Sequence, residues 1–120
     1  MKYNPQIITI TNLEDARKRI QDIGCDPKSI DIMAPKMISK VIKVKNVLLQ
    51  DAIIIKQDML SIGGEVAIPK DSFELKERYA DILIIGTLKQ QYELIEKLKR
   101  HYARIKQVAQ ELKETLAMIQ

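Results

Sequence analysis

From Leu88 to Gln120 the chain contains neither proline nor glycine. Its apolar positions there are Ile95, Leu98, Tyr102, Ile105, Ala109, Leu112, Leu116 and Ile119, in alternating steps of three and four. That is a 3.5-residue period, the pattern of a helix–helix seam. A continuous helix over this range would be about 50 Å long at 1.5 Å per residue. A compact chain of 120 residues is only ~30–35 Å across. The far end would overhang and leave Leu112, Leu116 and Ile119 uncovered, although burying such a side chain is worth about 1.5–3 kcal/mol. Either the helix bends back near His101–Ala103 onto its own domain, or the segment pairs with another body. With nothing in the sequence to force a bend, self-association is the expectation. The candidate interaction surface is then Leu98, Tyr102, Ile105, Ala109, Leu112, Leu116 and Ile119. The matching division of the chain is a compact α/β domain over residues 1–100 and a helical extension or interdomain linker over 101–120.

The rest of the chain alternates strand and helix signals. Gln6-Ile7-Ile8-Thr9-Ile10 is short and β-branched, so it reads as a strand. Asn12 can cap a helix whose apolar positions are Leu13, Ala16, Ile20 and Ile23, with Gly24 as its stop. Asp26-Pro27 marks a turn. Residues 28–40 admit a strand through Ile30 and Ile32 or a short helix opened by Pro35. Val41–Val47 alternates Ile42 and Val44 with Lys43 and Lys45, so one face is apolar and the other cationic. Leu48–Ile62 follows as a helix closed by Gly63-Gly64. Glu65–Pro69 is a short strand, and a polar loop leads from it through Arg78. Ile82-Leu83-Ile84-Ile85 is a continuous apolar run, which predicts a strand covered on both faces. The fold class is therefore α/β (α+β), in the order β-α-β-α-β-β-α. It implies a small mixed sheet of about four strands with right-handed crossovers and a long C-terminal helical segment.

Composition narrows the function classes. With one Phe, four Tyr and no Trp, the core must be aliphatic. The lone Cys25 rules out an internal disulfide and a Cys-based zinc site, and suggests a reducing cytoplasm. No apolar run approaches the ~18 residues of a membrane span. His101 is the one histidine, set in the charged stretch Arg100-His101-Tyr102-Ala103-Arg104, and reads as a solvated residue. A Cys25–His101 pair would still need a third group to orient the base. No acids or histidines stand at a recognised metal-ligand spacing, so no catalytic, cofactor or metal residue is assigned. Gly86-Thr87 before a helix could cradle an anion, but Walker-type glycines and lysine are missing. Thr87 and Gln90 instead form a capping box. Two basic clusters, Lys36/Lys40/Lys43/Lys45 and Lys97/Lys99/Arg100/Arg104/Lys106, could track a phosphate backbone. Only Tyr102 lies within them to stack a base, so a nucleic-acid-binding module stays an alternative.

Three stretches carry a family resemblance: Ile32-Met33-Ala34-Pro35-Lys36, Val41 to Val47 running through to Met59-Leu60-Ser61-Ile62-Gly63-Gly64-Glu65, and Gly86-Thr87-Leu88-Lys89-Gln90. With Tyr92 to Leu98 they resemble the N-terminal extension that one branch of bacterial dihydropteroate synthases carries before its pterin-binding (β/α)8 barrel. The resemblance runs from about Asn4 to Leu112. It implies a non-catalytic accessory domain of a folate enzyme, with the barrel of the same chain as partner. The condensation of p-aminobenzoate with pterin pyrophosphate would belong to that barrel, which needs at least ~200 residues. Asp71-Ser72-Phe73 repeats three letters of the barrel's Asn-x-Thr-Pro-Asp-Ser-Phe-x-Asp-Gly-Gly loop, lacks the rest, and is read as coincidence.

Overall fold

A computed structural model of the chain describes residues 1–70 and 78–118. Helix α1 (Leu13–Ile23) starts where Asn12 accepts the Asp15 amide at 2.7 Å and stops at Gly24, in the left-handed region at φ 84°. Helix α2 (Pro27–Met33) follows, with Asp26 as its cap and Pro27 in the first turn. A 3₁₀ turn (Ala34–Met37) leads into strand β1 (Ser39–Leu48). Helix α3 (Leu49–Ile62) ends at Gly63, φ 99°. Strands β2 (Glu65–Ala67) and β3 (Tyr79–Thr87) come next, then helices α4 (Leu88–Leu98) and α5 (Ala103–Ala117).

Among the described residues the sheet has three strands in the order β1-β3-β2, and both pairings are antiparallel. Thus β1 and β2 run parallel to each other with β3 inserted between them, a split β-α-β unit bridged by α3. Val41 pairs with Ile85, Lys43 with Leu83 and Val44 with Ile82; a bulge after Val44 then shifts the register so that Val47 meets Ala80. At the bulge Asn46 takes φ 56°, and its amide donates to Asp81 Oδ1 at 3.1 Å.

The helices cover one face of the sheet. Ile55 and Met59 of α3, Leu94 and Leu98 of α4, and Ile105, Ala109 and Leu116 of α5 pack with Val66, Ile82 and Ile84 in one core, each almost fully buried. The approach is close: a Cβ on Gly86 would lie 2.6 Å from Met59 Cε. A second, smaller cluster joins Ala16, Ile20 and Ala34.

The structure corrects several expectations. Among the described residues the sheet is antiparallel with three strands, not mixed with four. Gln6–Ile10 joins no strand, and Ile7 is fully exposed. Its β-branched residues favour extension, but only Ile10 is anchored on the body. Residues 28–38 contain no strand, because the Asp26 cap and Pro27 commit the segment to helix. Strand β2 stops at Ala67 rather than Pro69. The apolar run of β3 is covered on one face only: Ile82 and Ile84 are sealed, while Leu83 and Ile85 are 38% and 37% exposed.

The C-terminal segment is two helices. The chain turns at residues 99–102, where the Arg100 amide donates to Lys97 O and the His101 amide to Leu98 O. Helix α5 then packs against α4 and adds Ile105, Ala109, Leu112 and Leu116 to the common core. The boundary expected at residue 100 does not divide that core. The molecule also measures 55 × 33 × 23 Å, longer in one direction than a sphere of its size. No helix among the described residues is long and apolar enough to cross a membrane.

Candidate functional site

The buried acid Asp51 organises the most connected polar cluster. It sits in the first turn of α3, 4% exposed, where the helix dipole favours a negative charge. Its Oδ2 accepts Arg104 Nε at 2.9 Å, and its Oδ1 accepts Arg104 Nη2 at 3.1 Å and the Tyr102 hydroxyl. The Arg104 guanidinium also lies 4.7 Å from the Tyr102 ring centroid. Burial pushes the Asp51 carboxyl up, but the hydrogen bonds from Arg104 and Tyr102 and the Arg104 charge outweigh it and hold the group below its ordinary value. The bond to Asp51, with some desolvation, raises the Tyr102 phenol. A carboxylate engaged on both oxygens and stabilised as the anion is a poor general base. The cluster acts as a clasp that ties the turn after α4 to the start of α3. His101 reinforces it: Nε2 lies 2.9 Å from Asp58 Oδ2, so the residue is half-buried in a contact with α3 rather than free in solvent.

Beside the clasp a groove of about 560 Å³ runs between β1 and α5. Residues 42–48 of the strand form one wall, and Arg104, Gln107, Val108, Glu111, Leu112 and Thr115 form the other. The helix residues recur every three or four positions, so a single face of α5 lines it.

The candidate interaction surface is mostly internal. Leu98, Ile105, Ala109, Leu112 and Leu116 are at most 3% exposed, inside the chain's own core. Tyr102 remains on the surface at 42%, and Ile119 lies outside the described residues. The 3.5-residue period that suits a seam between chains suits an intramolecular helix pair equally well. The exposed seam on which self-association through α5 rested is therefore absent among these residues.

The basic clusters do not converge. Lys43 and Lys45 line the groove, whereas Lys40 lines a separate hollow with Leu13 and Arg17. Lys97 donates to Ser61, Lys99 to Glu96, and Arg104 to Asp51. The capping box stands as read: the Gln90 amide donates to Thr87 Oγ1 at 3.2 Å and the Thr87 amide to Gln90 Oε1 at 2.9 Å. No group of three or more His, Cys, Asp or Glu that could hold a metal ion occurs among the described residues. Asp71-Ser72-Phe73 lies outside them. Sequence reading missed Asp51. A lone acid between Leu49 and Ala52 at a helix start was a faint signal, and its partner Arg104 is too distant in sequence to be paired by spacing.

No family model matches the chain, and no solved structure does. Among curated proteins, a bifunctional dihydropteroate synthase/dihydropteroate reductase of Helicobacter pylori is 33% identical over 110 residues, covering 92% of this chain and 29% of that protein. The chain thus spans less than a third of the length of this relative. Over nearly all of its own length, the chain is similar to one part of that bifunctional protein.

Proposed function

We propose that this chain is the N-terminal accessory domain of a dihydropteroate synthase-type protein, and that its role is to dock on a pterin-binding barrel that performs the condensation. The observation carrying this reading is the shape of the match, 92% of this chain against 29% of the relative. A (β/α)8 barrel takes ~250 residues, so the similar part is too small to be one. The internal core supports a unit that folds by itself, because helices α3, α4 and α5 close on a single sheet face without help from another body. The clasp supports a structural role for the polar residues, since the Asp51 oxygens face Arg104 and Tyr102 rather than open space.

The purified chain should therefore form no dihydropteroate from p-aminobenzoate and pterin pyrophosphate. It should also leave dihydropteroate unreduced when supplied with reduced nicotinamide or flavin, and bind no pterin saturably in calorimetry. Turnover in either assay, or pterin binding at low micromolar affinity, would overturn the reading. In the second case the groove beside β1 would be the first place to look.

A further inference from the structure

Among the described residues strand β1 keeps a free edge, since β3 is its one neighbour in the sheet. The order β1-α3-β2-β3-α4 is one strand short of a β-α-β-β-α-β unit, because after α4 the chain enters α5 instead of returning to the sheet. The backbone groups on the free edge follow from one bond. The Leu88 amide, directly after β3, donates to Ile38 O at 2.8 Å. Successive residues of a strand direct their backbone groups to opposite edges. Ile38, Lys40, Ile42 and Val44 therefore bond toward β3, whereas Val41 and Lys43 turn their N–H and C=O groups outward. An edge with such groups unpaired is a template for a further strand.

A strand-forming segment is tethered beside that edge. Thr11 lines one hollow with Ile38 and Lys40, at the start of β1. Before it, Gln6–Ile10 has a strand's composition but joins no strand, and Ile7 and Ile8 are 101% and 52% exposed. Five extended residues reach about 17 Å. That is the span from Lys40 to Val44, where the bulge ends the regular pairing with β3. Laid along β1 from its tether, the arm runs antiparallel to it, as both pairings already in the sheet do. Ile10 fixes the parity, because it packs on the same core as Ile42 and Val44. Residues opposite each other on paired strands share a face. Ile10 then stands opposite Lys40 and Ile8 opposite Ile42, on the helix side. Thr9 and Ile7 stand opposite Val41 and Lys43, with their backbone groups turned to those of β1.

We infer that residues 6–10 are a strap that closes on the β1 edge of their own chain, as the fourth strand of an antiparallel sheet. The structure records the open state, in which no backbone hydrogen bond joins these residues to another segment. Closure pairs the edge groups of Val41 and Lys43 and covers Ile8 beside Ile42. The tether selects the occupant: an arm anchored through Ile10 and Thr11 meets its own edge at a high effective concentration, ahead of any free chain. The strap does not depend on the functional reading above.

Amide hydrogen exchange of the full chain, read residue by residue in NMR, tests it. The Val41 and Lys43 amides of the native chain should be protected, and equally so at tens and at hundreds of micromolar. Thr9→Pro removes an N–H that points at β1 and should lower both protections about fivefold, the scale of one hydrogen bond. Gln6→Pro removes an N–H that points away from β1 and should leave them unchanged. Thr9 and Gln6 are both exposed, so the Ile84 amide within the sheet should keep its protection in both variants and serve as the reference. Val41 and Lys43 amides that exchange no more slowly in the native chain than in Thr9→Pro overturn the inference. So does an equal loss in the two variants. Protection that grows with concentration also overturns it, and would put the arm of another copy on the edge.

Discussion

The two faces of β3 carry the same kind of side chain and meet opposite fates. Ile82 and Ile84 are sealed under the helices, whereas Leu83 and Ile85, one residue along, are more than a third exposed. The pleat sorts them, since alternate residues point to opposite faces. All three covering helices lie on one side. An unbroken apolar run therefore does not by itself mean a strand covered on both faces; it means a strand whose second face has yet to be accounted for. The open face is continuous across the strands, because Val41 and Glu65 both pair with Ile85 and Lys43 and Ala67 both pair with Leu83.

The largest expected effect tests that contrast at its sharpest. Ile84→Ala should cost about 2–5 kcal/mol in urea unfolding, the range for truncating a buried aliphatic residue. Ile85→Ala should cost well under half as much. Equal losses would mean that the open face is covered in solution.

Leu116→Ala asks whether the covered face extends to the end of α5. Leu116 is fully buried although it lies beyond the boundary expected at residue 100. The loss should again be about 2–5 kcal/mol, in a single cooperative transition. A loss near zero would detach α5 from the core.

The clasp holds the covering helices together and should contribute less. Asp51→Ala leaves three donor groups on two side chains, Arg104 and Tyr102, without their acceptor, at a cost of about 1–3 kcal/mol. Its acid dependence has a definite sign. The folded Asp51 carboxyl titrates below its ordinary 3.8. Its stabilisation is therefore complete above that value and is lost as pH falls toward the folded one. Urea midpoints of Asp51→Asn measured from neutral pH into acid should fall less steeply below about pH 4 than those of the native chain. Parallel curves would show that the carboxylate is not held in its charged form.

The smallest effect lies on the open face. Leu83→Thr puts a β-branched, strand-favouring residue on the open face and should change stability by less than about 0.5 kcal/mol. A loss of 2 kcal/mol or more would place a partner on this face.

Much of the local structure was legible in the sequence because it is enforced locally. Asn12 and Gly24 bracket α1, Gly63 closes α3, and Thr87 with Gln90 opens α4; each signal acts within a few residues of itself. The alternation of Ile42 and Val44 with lysines marked β1 for the same reason. Ile82–Ile85 was recognisable as a strand, and one of its final isoleucines, Ile84, lies in the core as expected. A likeness to dihydropteroate synthases was also read from the sequence, and a bifunctional protein of that name is 33% identical to this chain over 110 residues.

Tertiary structure decided what depends on distant partners. Gln6–Ile10 has a strand's composition, but a strand needs a neighbour to satisfy its backbone, and no residue within the segment supplies one. The turn at residues 99–102 needs no proline or glycine. It is held by contacts with α3, through Tyr102 and Arg104 to Asp51 and His101 to Asp58, and by the burial of Ile105, Leu112 and Leu116. The 3.5-residue period fixed that the face of α5 had to be covered. It could not fix by what, because the free energy of burial depends on the area removed from water and not on which chain removes it.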